Sequence, residues 1–150
     1  MAEKLTDLPV RFLFRLLGEA AVSEERAKVT GPMGGRYMST SSEGGRLEGP
    51  AISGRMLKGY AWGPHRMSAA LDFRHMHYDN RVLLLTDDGH YVLMRYRGTN
   101  SPSYPDGSWR TGVVFEAQSG PYGWLNAVQA IGVGRKVGKA VEYMIYAVAG

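Results

Sequence analysis

Cysteine is absent from the 150 residues of the chain, which excludes disulfide bonds and thiolate metal sites. No apolar run approaches the roughly 20 residues that a membrane-spanning helix needs. The first residues, MAEKLTDLPV, lack the long apolar core of a signal peptide. We therefore expect a cytoplasmic protein with no membrane partner.

The motifs of several large protein classes are also missing. No glycine-rich loop follows a strand pattern and opens a helix, which argues against nucleotide binding. No nucleophile elbow or Ser-His-Asp order is present. Lys and Arg number 18 against 14 Asp and Glu, but the cations are scattered rather than gathered in one stripe. We therefore expect no nucleic-acid partner and no cofactor.

Glycine, in contrast, is abundant at 20 residues, and short strand patterns alternate with turn signals along the chain. VRFLFRLLGEAAV places Phe12, Phe14 and Leu16 on one side at period two, although a short helix through Leu16 is an alternative. Gly54 indicates a close backbone approach or a kink. The pattern favours an all-β fold over residues 1–150: a single antiparallel up-and-down barrel, lipocalin-like, of about 8–10 strands with little helix, after a polar lead-in at 1–9. Barrels of this size commonly enclose a small-ligand cavity.

The segment DNRVLLLTDDGHYVLMRYRG, residues 79–98, predicts a β-hairpin. Asp88-Gly89 suits a two-residue type I′ turn, which would place Leu85 opposite Val92. The polar groups at the far end then divide between the two sides: Asp79, Arg81 and Tyr96 on one, Arg95 and Arg97 on the other. Each side is apolar near the turn and polar beyond it, whereas a solvent-facing side is normally polar throughout. We predict that one side faces a cavity; the alternative is a solvated ion pair at the barrel end.

The candidate site residues are polar or aromatic side chains that could line such a cavity. The proposed catalytic residues are Asp79, His77 and Arg81, and the proposed substrate-binding residues are Glu48, Arg95, Tyr96, Trp62, Arg110 and Trp124. A carboxylate or an imidazole can move a proton, and an arginine can stabilise a developing oxyanion. The alternatives are an exposed strand end for His77 and turn packing for Tyr122, Trp124 and Asn126.

The histidine pair His75 and His77 has a spacing that metal sites use, and Asp79 lies on the same strand face. A third ligand from the same strand would be unusual, because metal sites generally draw ligands from more than one strand. We assign no metal to these residues.

Four segments resemble one family in order and spacing. They are GGRLEGPAISGRML, DNRVLLLTDDGHYVLMRYRG, WRTGVVFEAQSGPYGWLN and AIGVGRKVGKAVEYMIYAV, and the family is domain of unknown function 3237, the UPF0311 type. The resemblance spans roughly residues 10–148. It implies a compact all-β barrel, often oligomeric, with no settled activity. The stretch from Trp62 to Asp79 is longer than the family pattern, and it holds a second Asp-x-Arg at Asp72 and Arg74.

Two functions fit these observations best. The first is a cofactor-independent lyase, isomerase or hydratase that acts by acid–base catalysis on a small oxygenated or aromatic metabolite in the barrel cavity. The second is a lipocalin-like carrier of a small hydrophobic or anionic ligand. The expected partners are a small-molecule ligand and other copies of the chain in a homo-oligomer; an oligomerising protein without a ligand is a third alternative.

Overall fold

The computed structural model describes residues 6–19, 26–31, 34–40, 45–57, 62–67, 76–99, 104–138 and 140–148. Only the backbone is described at 19, 26–31, 34–40, 62–67, 76–78 and 99. The described residues form eleven strands: β1 (Val10–Glu19), β2 (Arg26–Gly31), β3 (Gly34–Thr40), β4 (Gly45–Glu48), β5 (Gly54–Met56), β6 (Trp62–Met67), β7 (Met76–Thr86), β8 (Tyr91–Thr99), β9 (Trp109–Ala117), β10 (Ala130–Val137) and β11 (Ala140–Val148). A 3₁₀ helix at Gly123–Ala127 lies between β9 and β10.

Eight of these strands close into an antiparallel barrel in which neighbours around the ring follow one another along the chain. The order is β1, β4, β5, β7, β8, β9, β10 and β11, and β11 pairs back onto β1. The strands β2, β3 and β6 extend the sheet beyond the ring. β6 pairs with the amino-terminal half of β7, β3 pairs with β6, and β2 pairs with β3. The predicted all-β, up-and-down barrel is confirmed, with these three strands as an addition outside the ring.

The core lies inside the barrel, on the faces where alternate strand residues meet. Val82 and Leu84 on β7 and Val92 on β8 have no exposed surface, and Leu125 of the 3₁₀ helix is equally buried beneath them. Burial of each such side chain contributes about 1.5–3 kcal/mol to folding. The end of the barrel near the β7–β8 hairpin is therefore packed; we call it the closed end, and the opposite end the open end.

Strand β1 is continuous, which confirms the strand prediction and rules out the helix alternative. It carries one irregularity: Phe12 pairs with Tyr146 but Phe14 pairs with Ile145, so Leu13 is an extra residue in a β-bulge. Phe14 is fully buried inside, whereas the Phe12 ring lies 5.6 Å from that of Tyr146. The expectation that Phe12 shares a face with Phe14 is wrong, because the bulge shifts the alternation.

Gly54 is the point of close approach that the sequence predicted. A Cβ at this position would overlap the carbonyl oxygen of Leu85 and lie 2.7 Å from Thr86 Cα. We expect Gly54→Ala to lower the free energy of unfolding by about 2 kcal/mol, because backbone atoms of β7 would have to move. Gly112→Ala is the control, since its Cβ would lie 3.8 Å from the nearest atom. Urea denaturation of both variants should show a loss for Gly54→Ala alone; equal losses would contradict the close approach.

Candidate functional site

The hairpin between β7 and β8 sets which side chains face the barrel interior. Its loop has three residues, because the Thr86 amide donates to the His90 carbonyl at 2.8 Å and the Gly89 amide donates to the Thr86 carbonyl at 3.0 Å. Gly89 has φ +89°, which fits a type I turn followed by a left-handed glycine. The predicted two-residue turn is wrong: Leu85 pairs with Tyr91.

This shift of one residue moves every β8 partner to the other face of the ribbon. Arg95 pairs opposite Arg81, and Arg97 pairs opposite Asp79. The intervening positions include Val82 and Met94, which are at most 1% exposed and belong to the core. The charged side chains therefore lie on the outer face of the barrel.

The expectation that Asp79, Arg81 and Arg95 line the interior is thus wrong. Tyr96 does face the interior, because it pairs with Asn80 in the same alternation as the core residues. The catalytic roles of Asp79 and Arg81 stay predictions, but they would act outside the barrel.

Asp79 is held in an ion cluster on that outer face. Arg95 donates to both carboxylate oxygens, through Nε at 3.0 Å and through an Nη at 2.8 Å, and Arg97 Nε lies 3.8 Å away. The hydrogen bonds from Arg95, helped by the charges of Arg95, Arg97 and Arg81, lower the pKa of Asp79. Asp79 is therefore ionised at neutral pH, as in the solvated ion pair that the sequence left as the alternative.

Toward the open end the interior becomes polar and partly accessible. The side chains that form this level are Asn80, Tyr96, Trp109, Thr111 and Tyr143, and we call them the open-end layer. Register places them together: Tyr96 pairs with Val113 beside Thr111, and Trp109 and Tyr143 flank the same β10 residue, Gly134. The interior does change from apolar to polar along its length, and the five side chains of the open-end layer are neutral.

Three aromatic rings dominate the open-end layer. Trp109 Nε1 donates a hydrogen bond to the Tyr143 hydroxyl oxygen at 3.1 Å, and the two rings meet edge to face at 6.0 Å. The Tyr96 ring lies 5.4 Å from that of Tyr143. Because an indole N–H only donates, Tyr143 accepts from Trp109 and directs its own proton elsewhere.

Two glycines of β10 make room for these rings. A Cβ at Gly134 would overlap the Trp109 indole and lie 2.8 Å from Tyr143. A Cβ at Gly132 would lie 2.5 Å from the Thr111 methyl group. At these two positions the segment AIGVGRKV places no side chain inside the barrel, and the neighbouring aromatic rings occupy the space.

The remaining predicted site residues are dispersed. Glu48 is exposed on the outer face, 3.7 Å from Arg46. Arg110 stacks over Tyr104 at 3.9 Å and donates to the Ser108 hydroxyl at 2.9 Å. Trp124 lies on the 3₁₀ helix at the closed end.

Several predicted residues lie wholly or partly beyond what the structure describes. Trp62 and His77 belong to β6 and β7, but their side chains lie outside the described part, and so do Asp72, Arg74 and His75. Among the described side chains, no group of three or more His, Asp or Glu could hold a metal ion. No described helix is long and apolar enough to cross a bilayer.

Sequence reasoning missed Asn80, Trp109, Thr111 and Tyr143. Part of the signal was available, because Tyr143 alternates in phase with Ile145 and Ala147, and Gly132 and Gly134 recur at period two. The sequence does not reveal that β10 pairs with both β9 and β11, and this pairing brings the rings together.

Beside Tyr143, Glu142 forms a buried ion triad on the outer face. Its side chain is 3% exposed and lies between Arg15 and Arg135, each of which donates through Nε at 2.6 Å. Hydrogen bonds from Arg135 and then Arg15 lower the pKa of Glu142 against the opposing effect of burial. The triad ties β1, β11 and β10 together behind the open-end layer.

Comparison with known proteins finds a matching family and solved structures with the same fold. The sequence profile of the family described as "Protein of unknown function (DUF3237)" matches residues 10–148. A comparison with curated proteins finds no match.

Solved structures with the same fold come from bacteria and from a fungus. A β-barrel-like protein of Acinetobacter baumannii is 22% identical with a TM-score of 0.75, covering 97% of this chain and 100% of its own. A conserved protein of unknown function from Rhodopseudomonas palustris is 19% identical, with a TM-score of 0.77 and coverage of 95% and 99%. An enzyme from Penicillium herquei is 20% identical, with a TM-score of 0.71 and coverage of 97% and 99%.

Proposed function

The chain belongs to the DUF3237 family, and from this premise we propose that the open end of its barrel binds a small oxygenated aromatic molecule and moves a proton on it without a cofactor. The reaction class is a lyase or isomerase step, which needs only proton transfer and stabilisation of the charge it creates. The observation that carries the proposal is the hydrogen bond of 3.1 Å from Trp109 Nε1 to the Tyr143 hydroxyl, placed where the interior becomes accessible.

The open-end layer suits a flat ligand. Tyr96, Trp109 and Tyr143 offer ring edges and faces, and an aromatic pair contributes about 0.5–1.5 kcal/mol beyond the area it buries. The side-chain amide of Asn80 can orient a ligand oxygen, as single placed polar groups do in mostly apolar pockets. A planar molecule with one or more oxygen substituents therefore matches the site better than an aliphatic chain does.

Tyr143 is the proposed proton donor. When the phenol gives up its proton, the oxygen becomes negative while the Trp109 N–H already points at it. A hydrogen bond to the charged form favours that form, so the indole stabilises the phenolate as it develops. The phenolate can then remove a proton from a second atom of the ligand, which regenerates the phenol and completes an isomerisation.

The alternative function is a carrier that binds the same ligands without turnover. One observation favours it: the open-end layer consists of neutral side chains, with a phenol as its strongest acid. A site of this kind can bind an oxygenated ring by stacking and hydrogen bonding alone.

Hydrogen exchange in deuterium oxide separates the two functions. The probe is 1,3-dihydroxynaphthalene, whose ring hydrogen between the hydroxyl groups is exchangeable by protonation at carbon and can be followed by proton NMR. For the proposed enzyme we expect faster exchange with protein. Binding is followed in a separate sample in ordinary water, where the indole N–H protons are retained, by a shift of the Trp109 signal, which Trp109→Phe identifies by its loss. A shift without exchange would support the carrier, and no shift of this signal at millimolar probe would overturn binding at the open end.

A further inference from the structure

A second concave surface lies at the closed end of the barrel, away from the open-end layer. It is an open groove of about 720 Å³, and its lining residues are Arg11, Phe12, Pro50, Ala51 and Trp124. Fully buried side chains, among them Phe14 and Leu125, fill the space between this groove and the open end. A ligand in the groove would therefore not reach Tyr143.

The walls of the groove are fixed by hydrogen bonds. On one side, the side chain of Asn126 accepts from the Ala117 amide at 2.9 Å and donates to the Ala117 carbonyl at 2.8 Å, which fastens the 3₁₀ helix that carries Trp124. On the other side, the Ala51 amide donates to the Leu13 carbonyl at 3.2 Å, which holds the bend after Pro50. The groove is therefore built by ordered backbone rather than by side-chain packing alone.

An aromatic ring and a cation meet in this groove. The Arg11 guanidinium lies 5.6 Å from the centre of the Trp124 ring, and that tryptophan is 39% exposed. Arg11 is exposed as well, and none of the ion pairs between described side chains includes it. Most other arginines with described contacts, such as Arg46 and Arg95, already hold a carboxylate.

We infer that the groove is a binding site for a small aromatic carboxylate. The aromatic part of the ligand packs on Trp124 and Pro50, and its carboxylate accepts hydrogen bonds from the guanidinium of Arg11. Guanidinium and carboxylate match in shape and charge, and such charge-assisted hydrogen bonds are about twice as strong as neutral ones. The site is independent of the proposed function, because the two differ in place, in lining residues and in the charge they select.

Indole N–H signals test the inference directly, because the chain has 3 tryptophans and, of the two whose side chains the structure describes, Trp124 lines the groove and Trp109 does not. We expect 2-naphthoate to shift the Trp124 signal, which Trp124→Phe identifies. Neutral 2-naphthylmethanol should bind about tenfold more weakly, which is the size expected when one charge-assisted contact is lost. A shift confined to the Trp109 signal would overturn the site, since it would place the carboxylate at the open end.

A pair of arginine variants tests the role of charge. Arg11→Gln should weaken 2-naphthoate binding about tenfold and leave the alcohol unaffected. Arg55→Gln is the matched control, because Arg55 is an exposed arginine of β5 that does not line the groove. Equal affinities of 2-naphthoate for the wild type and Arg11→Gln, with both proteins folded by circular dichroism, would refute the inference.

Discussion

Replacing Tyr143 with Phe is expected to slow the protein-catalysed exchange of 1,3-dihydroxynaphthalene about 10²–10³-fold, within the range that a positioned general acid contributes. The substitution removes one oxygen from a ring that stays in place between Tyr96 and Trp109. Binding of the probe should change little, because stacking on the rings is preserved. The measurements are the exchange rate by proton NMR and the affinity from the shift of the Trp109 signal.

Tyr146→Phe is the control for this substitution. Tyr146 lies on the same strand, but its ring packs against Phe12 on the outer face, so its loss of a hydroxyl should leave exchange unchanged. Trp109→Phe should slow exchange about tenfold and shift its pH dependence upward, since the Tyr143 phenolate would lose its donor. If Tyr143→Phe and Tyr146→Phe exchange at equal rates, Tyr143 is not the proton donor.

The barrel could be predicted because each strand carries its own alternation of apolar residues. β9 shows this most clearly: Thr111, Val113 and Phe115 are buried, whereas Gly112 and Val114 between them are exposed. Closure of the ring could be expected only from the family resemblance and the strand number. The pairing of β1 with β11 joins residues more than a hundred positions apart, and no local pattern specifies such a contact.

The predicted site residues were assigned to the wrong face of the hairpin because the type of its turn was predicted wrongly. Asp88-Gly89 fits a two-residue turn as well as it fits the end of a three-residue turn, and the structure takes the second, in which the Thr86 hydroxyl oxygen accepts a hydrogen bond from the His90 amide at 2.8 Å. One residue of register then decides whether Arg95 or Tyr96 faces inward. The pattern of apolar residues does not predict that the Thr86 side chain will bind the His90 amide. The prediction was therefore wrong about the turn, although it was right about the two strands.

The second large effect is expected at Glu142, where alanine should lower the free energy of unfolding by about 3 kcal/mol. Removing one member of a buried charge cluster leaves the others unpaired, and such losses reach 3–5 kcal/mol when all partners are buried. Arg15 and Arg135 are 39% and 61% exposed, so water screens part of the loss and the lower end of that range applies. The midpoint of thermal unfolding should fall by about 6–12 °C.

The contribution of Glu142 should also disappear in acid. Its pKa is lower in the folded chain than the ordinary value of about 4.3, so the folded state holds its proton less tightly than the unfolded state does. The stabilisation is therefore complete above about pH 4.3 and is lost as the pH falls through the folded pKa. Urea denaturation of the wild type and Glu142→Gln should give a difference that is constant near neutral pH and shrinks below about pH 4.

A triple replacement separates the need for charge from the need for a filled space. Arg15→Met, Glu142→Leu and Arg135→Met together remove the charges and keep apolar volume on β1, β11 and β10. Because burying an ion pair costs desolvation that its attraction only partly offsets, the triple variant should recover most of the stability that Glu142→Ala loses. Its stability should lose the part of the acid dependence that Glu142 supplies, and keep the part that comes from other carboxylates with a lowered pKa, such as Asp79. If the triple variant is as unstable as Glu142→Ala, the hydrogen bonds of the triad contribute more than their desolvation costs, and Arg15, Glu142 and Arg135 are required as a set to hold β10 and β11 together beside Tyr143.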